Sequence, residues 1–111
     1  MIAFANSTAI LFDHNTEMVK PVEFDGELES LRTLLKIPCI DTIRLDPDHV
    51  VYVDDTGFLD RIETGFALIY RGRRIEWAGS GLLAGCSYGQ NAPITLDLPE
   101  LKIDVLKFKY E

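Results

Sequence analysis

Asp25-Gly26-Glu27-Leu28-Glu29-Ser30-Leu31-Arg32-Thr33-Leu34-Leu35-Lys36-Ile37-Pro38 is the stretch on which the fold turns. Leu28, Leu31, Leu34 and Leu35 recur at the spacing of one helical face. Glu27, Glu29, Arg32 and Lys36 occupy the other face. Asp25 can cap the first turn by accepting a backbone N–H. Glu27 and Glu29 suit the positive end of the helix dipole, and Lys36 the negative end. Pro38 stops the run and pushes Ile37 out of helical geometry. The spacing therefore predicts a helix over residues 27–37, with an apolar stripe that some other element must cover.

Strand-like segments surround it. Upstream, residues 2–13 form an apolar run broken by Asn6-Ser7-Thr8, where a local bend is possible. Asp13-His14-Asn15-Thr16 is a turn composition, because short polar side chains bond their own backbone. Residues 17–24 return as a second strand with Met18, Val22 and Phe24 on one side. Pro21 cannot donate to a ladder, so this strand is expected at an edge or at a bulge. Downstream, residues 39–45 and 49–54 flank the turn Asp46-Pro47-Asp48. Asp54-Asp55-Thr56-Gly57 is a second tight turn, with Asp first and Gly last. Residues 65–71 and 74–78 flank Gly72 as a hairpin. A short strand over 82–87, a loop over 89–93 and an alternating strand over 102–110 complete the chain. The fold class expected is α+β, a single domain over residues 1–111. Its one helix, in the N-terminal third, packs on a mainly antiparallel sheet of six to eight short strands.

Composition narrows the function classes. The chain has 111 residues, 47% of them apolar, enough for a real core. Eighteen acidic against 11 basic residues give a net charge of −7. Such a surface repels nucleic-acid phosphates, so direct nucleic-acid binding is not expected. The charge can serve solubility, or it can imitate nucleic acid and block a basic groove on another protein. Cys39 and Cys86 lack paired spacing and read as two reduced, buried thiols in a reducing, cytoplasmic compartment. No Lys or Arg precedes the polar-interrupted N-terminal run, so it reads as neither a signal peptide nor a spanning segment, and no membrane association is expected.

Several residues invite a chemical reading beside a plain one. Arg71, Arg73 and Arg74 form the one basic cluster, and arginine forks clamp phosphates or carboxylates. Charge at a hairpin tip also prevents edge pairing, and this is the favoured account. Asp54 and Asp55 can hold magnesium or act as acid and base, but the turn into Gly57 already demands them. Cys39, Cys86, His14 and His49 are four residues of zinc-ligand type, without the close pairs that zinc motifs supply. Ala78-Gly79-Ser80-Gly81-Leu82-Leu83-Ala84-Gly85 looks like a glycine-rich phosphate loop, yet it leads into an apolar strand rather than a helix. Its small residues are expected to let another backbone pass closely, and Trp77 to fill the core. No catalytic constellation and no cofactor are expected.

Three of these segments carry a resemblance. Cys39-Ile40-Asp41-Thr42-Ile43-Arg44-Leu45, Val51-Tyr52-Val53-Asp54-Asp55-Thr56-Gly57-Phe58-Leu59 and the run from Ala78 to Gly85 appear in order. With the helix before them, they resemble the "domain of unknown function 3846" family of small phage, plasmid and bacterial proteins. The resemblance spans residues 18–87. Residues 60–64 and the strand at 102–110 depart from it. It implies no activity, only a mobile-element setting in which small proteins regulate or inhibit host machinery. The expectation is a non-enzymatic accessory protein acting on another protein. A small anionic, nucleotide-like ligand and an acidic nucleic-acid mimic are the alternatives. The C-terminal run adds a further expectation. Leu101, Ile103 and Val105 fall on one phase, and Leu106, Phe108 and Tyr110 on the other. One set can exceed what a single helix covers, so a homodimer through that strand is a candidate assembly.

Overall fold

A computed structural model describes residues 7–57 and 60–110. The outer part of the N-terminal run, residues 1–6, lies outside the described residues. The chain runs β1 (Ser7–Asp13), β2 (Met18–Phe24), α1 (Leu28–Leu35), β3 (Ile40–Asp46) and β4 (His49–Asp54). Then come β5 (Thr64–Tyr70), β6 (Arg73–Ala78), β7 (Gly81–Ser87), β8 (Gln90–Ala92), a 3-10 turn (Leu98–Glu100) and β9 (Lys102–Lys107). One helix on mostly antiparallel strands is the α+β architecture expected.

The helix forms for the reasons its sequence states. Leu31 and Leu35 are buried on its apolar face. Asp25 acts from two residues ahead of the N-cap: its Oδ1 accepts the Glu27 N–H at 2.8 Å, and its Oδ2 accepts the Ser30 hydroxyl at 2.8 Å. The helix ends at Leu35 because Lys36 turns left-handed, φ 59°, and its N–H returns to the Arg32 carbonyl at 2.7 Å. The Glu27 N–H first, then the Ser30 hydroxyl, hold the Asp25 carboxyl below its ordinary value of 3.8. A depressed carboxylate contributes stability that is present above its unfolded value and lost as pH falls through the folded one. Asp25→Ala is therefore expected to lower the thermal midpoint at neutral pH. Its gap from the wild type should close as pH drops below 3.8.

The strands divide between two sheets. One has the order β2-β1-β7-β4-β3, with β8 beside β7; the other is β6-β5-β9. Pro21 lies on β2, an outer strand, as its missing donor requires. The 89–93 segment is not all loop. Tyr88 and Gly89 take φ of 52° and 76° and make a two-residue hairpin turn, which pairs β8 with β7. Arg71 and Gly72, at 48° and 82°, do the same between β5 and β6.

Phe12, Val51, Val53 and Leu83 from the first sheet meet Phe66, Leu68, Ile75 and Trp77 from the second. The opposite face of the first sheet sets Ala9, Leu11, Phe24, Leu82 and Ala84 against Leu31 and Leu35. The layers are therefore helix, large sheet, small sheet. The helix covers one face as foreseen, and the second sheet, which sequence reading did not separate, covers the other. Trp77 is 2% exposed and packs edge-on to Phe12. The small residues of β7 serve close approach. A Cβ on Gly85 would lie 2.4 Å from the Pro93 carbonyl oxygen, and one on Gly81 would lie 2.7 Å from the Trp77 ring. Along β9, Leu101 and Ile103 pack on the inter-sheet core, and Leu106, Phe108 and Tyr110 are partly buried. Val105 stays exposed. Among the described residues, no helix is long and apolar enough to cross a membrane.

Candidate functional site

The three arginines leave one hairpin in different directions. Arg71 sits in the turn, and its Nε donates to Glu100 at 2.7 Å. Its guanidinium lies 5.0 Å from the Tyr70 ring centroid. The Glu100 bond holds that guanidinium above its ordinary range. Arg73 and Arg74 alternate along β6. Arg73 stands opposite Tyr70 on the inner side and donates to the Leu45 carbonyl at 3.2 Å, tying the small sheet to β3. Arg74 donates to Glu76 at 2.6 Å and lies 3.6 Å from Asp104. They converge on no common point.

Asp54 and Asp55 also part company. Asp54 Oδ1 accepts both the N–H and the hydroxyl of Thr56, at 2.9 and 3.1 Å. These bonds close the turn that Gly57 completes. Asp55 is exposed, and its N–H extends the β3–β4 ladder to the Cys39 carbonyl at 3.2 Å. His14, Cys39, Cys86 and His49 are not gathered. Among the described residues, no group of three or more His, Cys, Asp or Glu side chains is placed to hold a metal ion.

Sequence reading gave His49 only a place among possible zinc ligands, and the structure gives it a different one. It is 2% exposed at the start of β4. A backbone N–H can only donate, so the Thr95 N–H at 3.0 Å makes Nε2 the acceptor. Nδ1 then carries the proton and donates to Asp46 Oδ1 at 2.8 Å. The Thr95 hydroxyl is 3.4 Å from Nε2. Acid, imidazole and hydroxyl stand in the order of a nucleophilic triad. The Nε2 lone pair, however, is occupied by the backbone N–H and is not free to take a hydroxyl proton. His49 therefore pins the segment leading to β9 onto the β3–β4 turn. A strand-opening histidine after Asp46-Pro47-Asp48 carries no sequence signal for this role.

Two open clefts lie among the described residues. One, of about 430 Å³, lies between the end of β2 and α1, lined by Glu23, Asp25, Glu29, Ser30, Thr33 and Leu34. The other, of about 470 Å³, is lined by Glu63, Thr64, Lys107, Phe108, Lys109 and Tyr110. Lys107 in the second is already bonded to Glu17, and the Tyr110 hydroxyl donates to the Ile62 carbonyl at 2.7 Å. Comparison of the chain with family models, with curated proteins and with solved structures returned no match.

Proposed function

We propose that this chain is a non-enzymatic accessory or regulatory protein that acts by contact with another protein, in the mobile-element setting its motifs imply. One observation carries the reading. The side chains of Arg71, Arg73, Arg74, Asp54 and His49 are each tied to a partner within the fold. Side chains held in this way position strands and turns, and the acidic outer surface is left for recognition. Both thiols are free, Cys39 exposed and Cys86 half-buried rather than buried as expected, and free thiols fit a cytoplasmic compartment.

The test is a thermal-shift screen of the purified protein against nucleotides, cyclic nucleotides, phosphate and divalent metals. A ligand that binds only the native state raises the melting temperature. No shift is expected. Stabilisation by one anion, lost in Arg73→Ala or Arg74→Ala, would replace this reading with the small-ligand one.

The nucleic-acid-mimic form of the same reading is favoured by one feature, the carboxylates of Glu23, Asp25 and Glu29 around a single cleft. It requires binding that weakens as salt rises. The homodimer keeps one foothold in Val105, exposed on the outer strand β9. Light scattering at high protein concentration decides it: a dimer sustains it and a monomer removes it.

A further inference from the structure

Among the described residues, five strands have a single neighbour: β2, β3, β6 and β9, and β8, which is blunted by its three-residue length. An open edge presents unpaired N–H and C=O groups, which proteins blunt with proline, lysine or other charge. Strand β2 carries Lys20 and Pro21, β6 carries Arg73 and Arg74, and β9 carries Lys102 and Lys107. Strand β3, Ile-Asp-Thr-Ile-Arg-Leu-Asp, has neither lysine nor proline. Its charge is Asp41, Arg44 and Asp46, net negative, and the exposed Arg44 turns its guanidinium back to the Pro47 carbonyl at 3.1 Å.

The bond from the Asp55 N–H to the Cys39 carbonyl, 3.2 Å, fixes the phase of the β3–β4 ladder. Antiparallel residues alternate between facing the partner strand and facing away. Odd-numbered residues of β3 thus face β4, and Ile40, Thr42 and Arg44 turn their backbone groups outward. The Thr42 N–H accords with this phase: Asp41 Oδ1 accepts it at 2.8 Å, where the carbonyl of an added strand would stand. At the far end, Arg73 takes the Leu45 carbonyl and closes the open stretch.

Charge selects the occupant. Of the exposed carboxylates, Asp41 is the second residue of the edge, Asp55 follows β4 opposite Cys39 at the same end, and Asp48 lies just past the other end. An antiparallel second copy would set Asp41 opposite another odd-numbered residue of 39–45, none of them a cation, so it offers Asp41 no counter-charge, whereas a basic segment does.

We propose that the outer edge of β3, residues 40–44, is a docking strand for an extended basic segment of another protein. The added strand takes its affinity from main-chain hydrogen bonds and its selectivity from the aspartates. This rests on the contact reading above and assigns it a surface and a partner chemistry.

The test titrates the full-length ¹⁵N-labelled protein with an eight-residue peptide of alternating lysine and valine, read by NMR shifts and amide exchange. The amide of Thr42 should exchange at least tenfold more slowly, those of Ile40 and Arg44 should follow, and the effect should fade as salt is raised. Thr42→Pro should abolish it, since that N–H lies outside the ladder. Asp48→Lys with Asp55→Lys, both exposed positions outside the strand, should abolish it. Shifts centred on the cleft of Glu23, Asp25 and Glu29 would overturn the β3 site and leave the contact reading standing. Protection of the same amides that grows with protein concentration and no peptide would replace the basic segment with a second copy and overturn the proposal. Absence of any response at low salt also overturns it, whereas the contact reading fails only on the small-molecule screen.

Discussion

Gly65→Ala is expected to destabilise the protein by about 3 kcal/mol or more, near the upper end for overpacking a well-filled site. Gly65 lies on β5 opposite Ala78. A Cβ there would stand 2.0 Å from the Trp77 carbonyl oxygen, 2.7 Å from the Phe108 ring and 2.9 Å from the Ala78 Cα. Two of the three contacts are backbone, so no side-chain rotation relieves them. Relief requires β5 and β6 to separate or slip. A one-residue slip turns either Phe66 and Leu68 or Ile75 and Trp77 to the wrong face. A native state stable by roughly 5–15 kcal/mol tolerates little of this. Urea unfolding checks it, with Gly89→Ala as the control. Gly89 has nothing within 4 Å of its Cβ position but a φ of 76°. Its substitution should therefore cost only the left-handed strain, about 1 kcal/mol. Equal midpoints for the two variants would contradict the packing described at Gly65.

His49→Ala is expected to cost on the order of 3 kcal/mol, combining a cavity with the loss of two hydrogen-bond partners. The Thr95 N–H would lose its acceptor and Asp46 one of its donors. The damage should spread toward β9, because the chain from Thr95 leads through the 3-10 turn into that strand. Amide exchange is the sharper readout. Thr95 and the β9 amides should lose protection first, while α1, on the far face of the large sheet, keeps its own. Uniform loss throughout the molecule would contradict a local pin.

Much of this architecture was legible because local chemistry demanded it. Asp25, the leucine stripe and Pro38 specify one helix without reference to the rest of the chain. Gly72 marks a hairpin for the same kind of reason, and Pro21 marks an edge. The division into two sheets was not legible. Alternation along 65–71 or 102–110 tells which residues face inward, but both inner faces supply the same kind of side chain to one shared core. Strand β8 was missed because its turn uses Tyr88 in a left-handed conformation that glycine usually takes. The candidate sites failed differently. Neighbours in sequence are not neighbours in direction on a strand, so Arg73 and Arg74 part to opposite faces. His49 joins Thr95 across 46 residues, a separation no spacing rule reaches. The β3 edge became recognisable only once the strand order showed which strands lack a second neighbour.

The central claim is that the polar residues that invite a chemical reading serve the fold. Urea unfolding of the wild type beside His49→Ala, Arg73→Ala and Asp54→Ala tests it most directly. Each variant should unfold at a lower midpoint with an unchanged slope, since each loses a bond that holds strands or turns in place. Groups held for catalysis or ligand capture commonly cost stability, and their removal leaves it unchanged or raises it. Midpoints equal to or above the wild type in these variants would contradict the claim and return the arginine hairpin and the Asp54 turn to consideration as functional sites.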